Sequence, residues 1–369
     1  MMKKMIIFTC VLLFIAIALF EYVYSDQISE WFPSHEVSPI VYNAEQEETS
    51  QTEEESVNGE DSDSNEEKEV TINSESELFI GQSEAEIVDQ FGEPERKDLS
   101  SYGYEWWVYP LSESSYAQLG IENEEVVTGY FIGDIVHDLP IEWASSYEEM
   151  DDIHTFEEQV SARNSWGHFQ FELSDEDQKI RPLVQHSDDV WIQFYFDQHT
   201  NQVSSIRIFN HDVLIKQRPY SVSYRGELPE ELAFTEEEQK LIESGEEKQI
   251  FDVTNIIRHR HDLDPFDWDE PISEVAYLHS MDMFENQYFS HVSPQFGELG
   301  DRIEAGDISP RLAGENIAAH YVDGIAAVEG WLNSEGHRVN LLHEEFTHLG
   351  VGVHQDYFTQ NFLTPWLQN

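Results

Sequence analysis

The stretch DGIAAVEGWLNSEGHRVNLL, residues 323 to 342, sets the architecture of the C-terminal half of the chain. Asp323 is a favoured helix N-cap, and Ile325, Val328, Trp331 and Leu332 recur at the spacing of one buried helix face. The pattern predicts a helix that stops just before Gly336. Glu335 and His337 stand two residues apart, too close to share a helix face, yet from a helix end both reach one cleft.

The flanking segments supply the rest of a helix-on-sheet domain. PISEVAYLHSMDMFENQ has Pro271 in a favoured first-turn position, with Ile272, Val275, Ala276 and Met283 on its buried side. FDVTNIIRHRH is helical through Phe251, Ile256 and Ile257, whereas HLGVGVH alternates Leu349, Val351 and Val353 as a strand does, and DYFTQNFLTP reads as a second strand. This domain spans 249–369. A polar connector, 219–248, precedes it and carries a short helix from Glu236 to Ser244.

Composition narrows the function. The 369 residues hold 75 Asp and Glu against 19 Lys and Arg, for a formal charge of −56. Phosphate contacts need basic clusters, so no nucleic-acid partner is expected. Such acidity suits a surface that stays hydrated in high salt or faces an alkaline exterior. The only cysteine is Cys10, which excludes a disulfide framework, a CxxC pair and a cysteine zinc site.

Residues 1–25 read as a signal anchor or signal peptide. Lys3 and Lys4 precede the uncharged run IIFTCVLLFIAIALF, and Tyr22 and Tyr24 form an aromatic flank. An anchor leaves the lysines inside and the acidic body outside, single-pass in the cell membrane; cleavage after Ser25 would release a secreted protein. Cys10 lacks the small preceding residue of a lipoprotein site, so lipidation is not expected. Residues 26–77 form an acidic tether, with fourteen acids and one lysine between Ala44 and Glu77. Too little apolar surface is present to offset the entropy of ordering it.

Between 78 and 218 the pattern is a strand-rich α+β domain. FIGQSEAEIVDQFGEPER predicts a short helix capped by Ser83 and stopped at Gly92 and Pro94. YEWWVYP, SYAQLGI, VVTGYFIG, WGHFQFEL, VWIQFYFD and VSSIRIFN read as strands whose aromatics form sheet core. An internal echo pairs YGYEWWVY with WGHFQFEL and VTGYFIG with VWIQFYFD, as a duplicated unit or by chance.

Nine of the sixteen histidines fall in the C-terminal domain, so chemistry is sought there. HEEFTH, 343 to 348, sets its histidines five apart, which a helix turns to different sides. DLDPFDWDE lacks the glycine of a calcium loop and contains Pro265. No GxSxG elbow is present either. FSHVSP around His291, AGENIA around Glu315, and NSEGHR around Glu335 and His337 remain. Imidazoles and carboxylates suit a divalent ion and equally suit acid–base work on water.

Taken in order, NIIRHRHDLDPFDWDEPISEVAYLHSMDM, YFSHVSP, GENIA, NSEGHRVNLL and FTHLGVGV resemble the CAP superfamily: cysteine-rich secretory, antigen 5 and pathogenesis-related class one proteins, in their bacterial, SCP-like branch. The resemblance implies an α-β-α sandwich with a cleft lined by two histidines and two acids. His291, Glu315 and His337 match the family positions. Glu335 stands where bacterial relatives usually have proline, close to the second acid of animal and plant members. GEPERKDLSSYGYEWWVY and LGIENEEVVTGYF resemble the domain that accompanies CAP domains in Bacillus-type proteins. Asn316 and Ser334 read as loop supports.

The resemblance implies His291 and His337 as ligands of Zn2+ or another divalent cation, with Glu315 and Glu335 orienting water or a ligand, and no organic cofactor. The same four residues are the candidate catalytic groups. Two functions follow: a membrane-tethered surface module binding a cation and a small apolar, lipid-like or peptide ligand, or a hydrolase of peptide or envelope material. Binding is favoured because no activated nucleophile or established catalytic signature appears. A purely structural role for the buried pairs is the third reading.

Overall fold

The computed structural model describes residues 78–133, 135 and 145–366, together with the backbone of 41–43. The expected membrane segment and most of the expected tether lie outside the described residues. No helix among those described is long and apolar enough to cross a membrane. Within the stretch read as tether, β1 (Val41–Asn43) runs antiparallel to a C-terminal strand, with Val41 opposite Gly314.

Helix α1 (Glu84–Phe91) opens the N-terminal domain with the expected cap: Ser83 and Glu86 form a reciprocal capping box, and the helix ends at Gly92. β2 (Arg96–Leu99), β3 (Glu105–Pro110), β4 (Tyr116–Glu122) and β5 (Glu125–Ile132) follow as an antiparallel run. Helix α2 (Tyr147–His154) has a second capping box, from Ser146 and Glu149. β6 (Gln159–Asn164), β7 (Gly167–Glu172), α3 (Asp175–Ile180), β8 (Leu183–Gln185), β9 (Val190–Asp197), β10 (Gln202–Asn210), α4 (His211–Gln217) and β11 (Ser221–Gly226) complete it.

Seven strands form one sheet in the order β2-β3-β4-β5-β10-β9-β8, and β11-β7-β6 form a second. The echo seen in the sequence is present with different partners. Ser83 bridges to Glu125 at the start of β5, and Ser146 bridges to Gln202 at the start of β10. Each capped helix therefore belongs to one of the two central strands, which pair antiparallel through Ile206 and Phe131. VTGYFIG corresponds to VSSIRIFN, not to VWIQFYFD. WGHFQFEL leaves the large sheet altogether, since β7 pairs with β6 and β11. Aromatic content alone could not distinguish the sheets, because register and partner are set by non-local pairing.

The C-terminal domain begins inside α5 (Glu236–Arg260), a single 25-residue helix that merges the connector helix and the FDVTNIIRHRH helix. Gly245 lies in its middle, and a Cβ there would stand 2.8 Å from Cβ of Asp98 on β2. The glycine thus admits a close approach of the two domains instead of breaking the helix.

β12 (Asp267–Trp268), α6 (Glu270–Asn286), α7 (Leu299–Ala305), β13 (Pro310–Ala319), α8 (Gly324–Asn333), α9 (Glu335–Leu341), β14 (His348–His354) and β15 (Tyr357–Pro365) follow. The sheet order is β1-β13-β15-β14-β12. Helix α6 packs on one face so closely that a Cβ on Gly352 would fall 1.9 Å from the Tyr277 amide nitrogen. The opposite face, through Leu349, Val351 and Val353, joins Ile250, Val253 and Ile257 of α5 and Val328 and Trp331 of α8. Helices on both faces make the expected α-β-α layers.

The same apolar cluster continues into the N-terminal domain through Trp106, Tyr130 and Trp191. Buried polar contacts fasten that boundary. Arg207 pairs with Asp323 at 2.8 Å, Tyr130 donates to Glu329 at 2.8 Å, and Arg338 holds Asp197 through two nitrogens at 2.9 Å each.

Candidate functional site

Glu315 lies at the centre of the polar cluster on β13. Alternation along that strand sends Ala313 and Ile317 into apolar clusters with α6 and α7 residues, so Glu315 between them faces the same side. There the carboxylate is almost fully enclosed, at 1% exposure. An enclosed carboxylate must be paired. His291 Nδ1 donates to Oε1 at 2.8 Å, and the Arg302 guanidinium donates to Oε2. Asn361, opposite Glu315 in the β13–β15 register, donates to Oε2 at 3.1 Å in the amide orientation that satisfies both its ends.

Arg302 does more than neutralise Glu315. Its Nη1 donates to the carbonyls of His291 at 2.8 Å and Gly297 at 3.1 Å, clamping the α6–α7 loop to the sheet. Ser293 Oγ adds a bond to Asp282 Oδ2 at 2.7 Å and accepts from Gln295 and Phe296 amides. His279, on α6, donates from Nε2 to the Ser290 carbonyl at 3.1 Å, 4.0 Å from Glu315 Oε1. Its Nδ1 has no partner.

His337 approaches from the other side of the strand. Ser334 ends α8 and opens α9, so the two helices meet at one residue where a single helix end was expected. The Ser334 hydroxyl leaves the backbone uncapped and shares a 2.8 Å hydrogen bond with His337 Nδ1. Asn316 donates to the His337 carbonyl at 3.2 Å, and Asn340 donates to the Glu315 carbonyl at 3.0 Å. These amides tie α9 to β13. Glu335 is exposed at the first position of α9, while His337 is half-buried two residues on. A rotation of ~200° separates two residues at that spacing, so they point to different sides of the helix.

Protonation states follow from this packing. Burial pushes the His337 imidazole down to about 4, and His291 lies near enough that its charge opposes a second one. Burial likewise brings His279 down to about 4, against the attraction of Glu315. For Glu315 burial acts upward, but the His291 hydrogen bond and the Arg302 charge outweigh it and hold the carboxyl below its ordinary range. Near neutral pH the cluster therefore consists of an ionised Glu315 between an arginine and His291, with neutral His279 and His337.

Whether these groups fit a cation turns on which ring nitrogens are left. His291 and His337 both commit Nδ1 to the protein, to Glu315 and Ser334, and neither Nε2 has a protein partner. A carboxylate behind one ring nitrogen is the usual way a ligating imidazole is oriented. Both Glu315 oxygens are occupied by protein partners. Among the described residues no group of three or more His, Cys, Asp or Glu is arranged to hold a metal ion. Two imidazoles alone fall short of the four-ligand protein cage of a structural zinc.

The structure pairs His291 with Glu315, ties the His337 backbone to β13 through Asn316 with His291 near enough to act on its charge, and sets Glu335 at the exposed start of α9. Two members of the cluster were not read from the sequence. His279 shares the buried face of Ala276 and Met283 at helical spacing, so the signal was present. Arg302 sits on a seven-residue helix and reaches Glu315 through the fold. Nothing in its local sequence announced it.

Residues 80–220 match the CAP-associated N-terminal family, and residues 251–366 match the cysteine-rich secretory protein family. The chain is 46% identical over 288 residues to the uncharacterized membrane protein YlbC of Bacillus subtilis, covering 78% of this chain and 83% of that one. It is 40% identical over 122 residues to the uncharacterized protein YkwD of the same organism, 32% of this chain and 48% of YkwD. A solved extracellular protein containing a SCP domain, from Bacillus anthracis, superposes with a TM-score of 0.75 at 43% identity, over 81% of this chain and 99% of that one. A cysteine-rich secretory protein from Staphylococcus aureus shares the fold, with a TM-score of 0.68 at 23% identity over 77% and 93% of the two chains.

Proposed function

The chain belongs to the cysteine-rich secretory protein (CAP) family and carries a CAP-associated N-terminal domain, and from this premise we propose that it is an extracytoplasmic, membrane-tethered binding module. His291 and His337 hold a divalent cation such as Zn2+ through their Nε2 atoms, and an apolar or lipid-like ligand lies against the loop beside them. The observation that carries this reading is the commitment of both Nδ1 atoms, of His291 to Glu315 and of His337 to Ser334, which leaves each Nε2 without a protein partner.

The α6–α7 loop supports the second half of the proposal. Phe289, Val292 and Phe296 are 53%, 48% and 52% exposed, all within five residues of His291. Large apolar side chains clustered on one ordered loop mark an interaction surface more often than chance exposure does. A bound cation supplies a positive point for a polar headgroup or carbonyl; the loop supplies apolar contact. Glu315, fixed by Arg302, keeps His291 in the tautomer that presents Nε2.

The relatives support the location. One is described as a membrane protein and one as extracellular. Residues 1–25 then tether the body, and the stretch before β1 spaces it from the membrane.

Hydrolysis draws on the same atoms less well. Ser334 and His337 are hydrogen-bonded as a nucleophile and base are, but they lie three residues apart at a helix start, and the ring is lowered to about 4, far from the value that favours a general base at neutral pH. A turnover screen over peptide and cell-wall libraries separates the readings. No turnover is expected, with uptake of a fluorescent long-chain fatty acid weakened at least ~10-fold (~1.4 kcal/mol) by the Phe289→Ser, Phe296→Ser double variant. Turnover that disappears in Glu315→Gln would replace binding by hydrolysis.

A further inference from the structure

A cavity of about 420 Å3 lies where the two domains and the connector meet, and none of the histidine-site residues lines it. Tyr102 and Arg218 reach it from the N-terminal domain, Leu232 and Phe234 from the connector, Glu246 from the long helix α5 that joins connector and CAP domain, and Phe358 from the CAP domain. Tyr102 donates to the Val322 carbonyl at 2.8 Å, so one wall is itself a bridge between the domains. The volume falls within the range of small-molecule sites.

Glu230 and Glu231 line it as exposed acids, and of its charged groups that are not exposed two are left without partners by the fold. Glu246 is 7% exposed, and its carboxyl has neither a hydrogen bond nor an ion pair. Arg218, the residue that ends α4 in a left-handed conformation, has no ion pair either. Lys216 nearby differs, because Glu122 holds its ammonium at 2.9 and 3.1 Å. Other buried ions at this boundary are matched, as Arg207 is by Asp323 and Asp197 by Arg338. A buried carboxyl contributes to stability only when paired. Burial, together with Asp323, Glu243 and Glu247, raises the Glu246 carboxyl well above its ordinary range against the opposing charge of Arg207. A cation placed beside this carboxyl would favour its ionised form, with release of a proton.

We propose that this interdomain cavity binds a small zwitterion of the amino-acid or dipeptide class, its ammonium on Glu246, its carboxylate on Arg218 and its side chain against Tyr102, Phe234 and Phe358. The unlike groups do not neutralise each other across the cavity, so each is free for the opposite end of one ligand. Because the walls come from both domains and the connector, an occupied cavity also ties the CAP domain to its companion. This site is independent of the cation proposed at His291 and His337.

Calorimetry on the full chain tests it with L-alanyl-L-phenylalanine, its N-acetyl form and its C-terminal amide, beside a panel of free amino acids. Binding of the free dipeptide or of an amino acid is expected, with at least ~10-fold loss on N-acetylation, matched by Glu246→Gln. A similar loss on amidation should be matched by Arg218→Ala. The ligand-free Glu246→Gln protein should melt at or above the wild type, since an unpaired buried acid has been removed. No binding by any member of the panel, or equal affinity in wild type and Glu246→Gln, would overturn the proposal. A Glu246→Gln protein that melts lower would also overturn it, by giving the carboxyl a structural role.

Discussion

Arg302 is the residue on which the histidine site most depends, because it both neutralises Glu315 and fastens the loop that carries His291. Arg302→Met leaves an enclosed carboxylate unpaired, and breaking such a pair from one side costs about 3–5 kcal/mol. A fall in melting temperature should accompany a loosened 289–297 loop, seen as faster amide exchange there. His279 gives a second test, through pH. Its imidazole is lowered by burial to about 4, so the unfolded chain takes up a proton first as pH falls. The stability it contributes is complete above about pH 6.5 and is lost progressively down to about pH 4, at most ~1.4 kcal/mol per pH unit. His279→Leu should flatten that slope in urea titrations between pH 4 and 6.5, and an unchanged slope would remove the assignment. At this scale the motifs around His291 and Glu315 pointed to two residues that the fold pairs, whereas His279 was not read although it shares the helical spacing of Ala276 and Met283. Arg302 was not legible, since a salt bridge between two elements leaves no trace in either one's pattern.

Elements whose signals are local were read with little error. Capping boxes, proline in a first turn and strand alternation depend on neighbours within four residues, which is why α1, α6, β14 and β15 could be drawn from the chain alone. The misreadings share another cause. Helix α5 was divided because its connector half is polar on most positions; the face it buries packs on β2 of the other domain, through Gly245. The Trp helix was extended past Ser334 because nothing nearby announces that a second helix starts there. The echo was misaligned because strand identity depends on partners. Close packing predicts a sharp penalty at this scale. Gly352→Ala drives a methyl into the backbone of α6 and should cost about 1–3 kcal/mol or more, whereas Gly92→Ala meets no neighbouring atom within 4 Å and bears only the strain of its positive φ. Comparing the two melting temperatures separates packing from conformation.

Across the whole molecule the two domains share an apolar core and a belt of buried ion pairs, so they should unfold together. Asp323→Ala removes the partner of a fully buried Arg207 and should lower one common transition, followed equally by tryptophans of both domains; two separated transitions would show independent domains. Net charge acts over the same scale. A formal charge of −56 repels itself, so added salt should raise stability, and a flat or falling response would remove the reading of the surface as salt-adapted. The central claim is that the family fold presents His291 and His337 as a labile divalent-cation site oriented by Glu315. Zinc titration of the full chain by calorimetry, beside His291→Ala and His337→Ala, tests it most directly. One zinc per wild-type chain is expected, lost in either variant while the fold still melts cooperatively. No uptake by wild type, or uptake undiminished when both histidines are replaced, would contradict it.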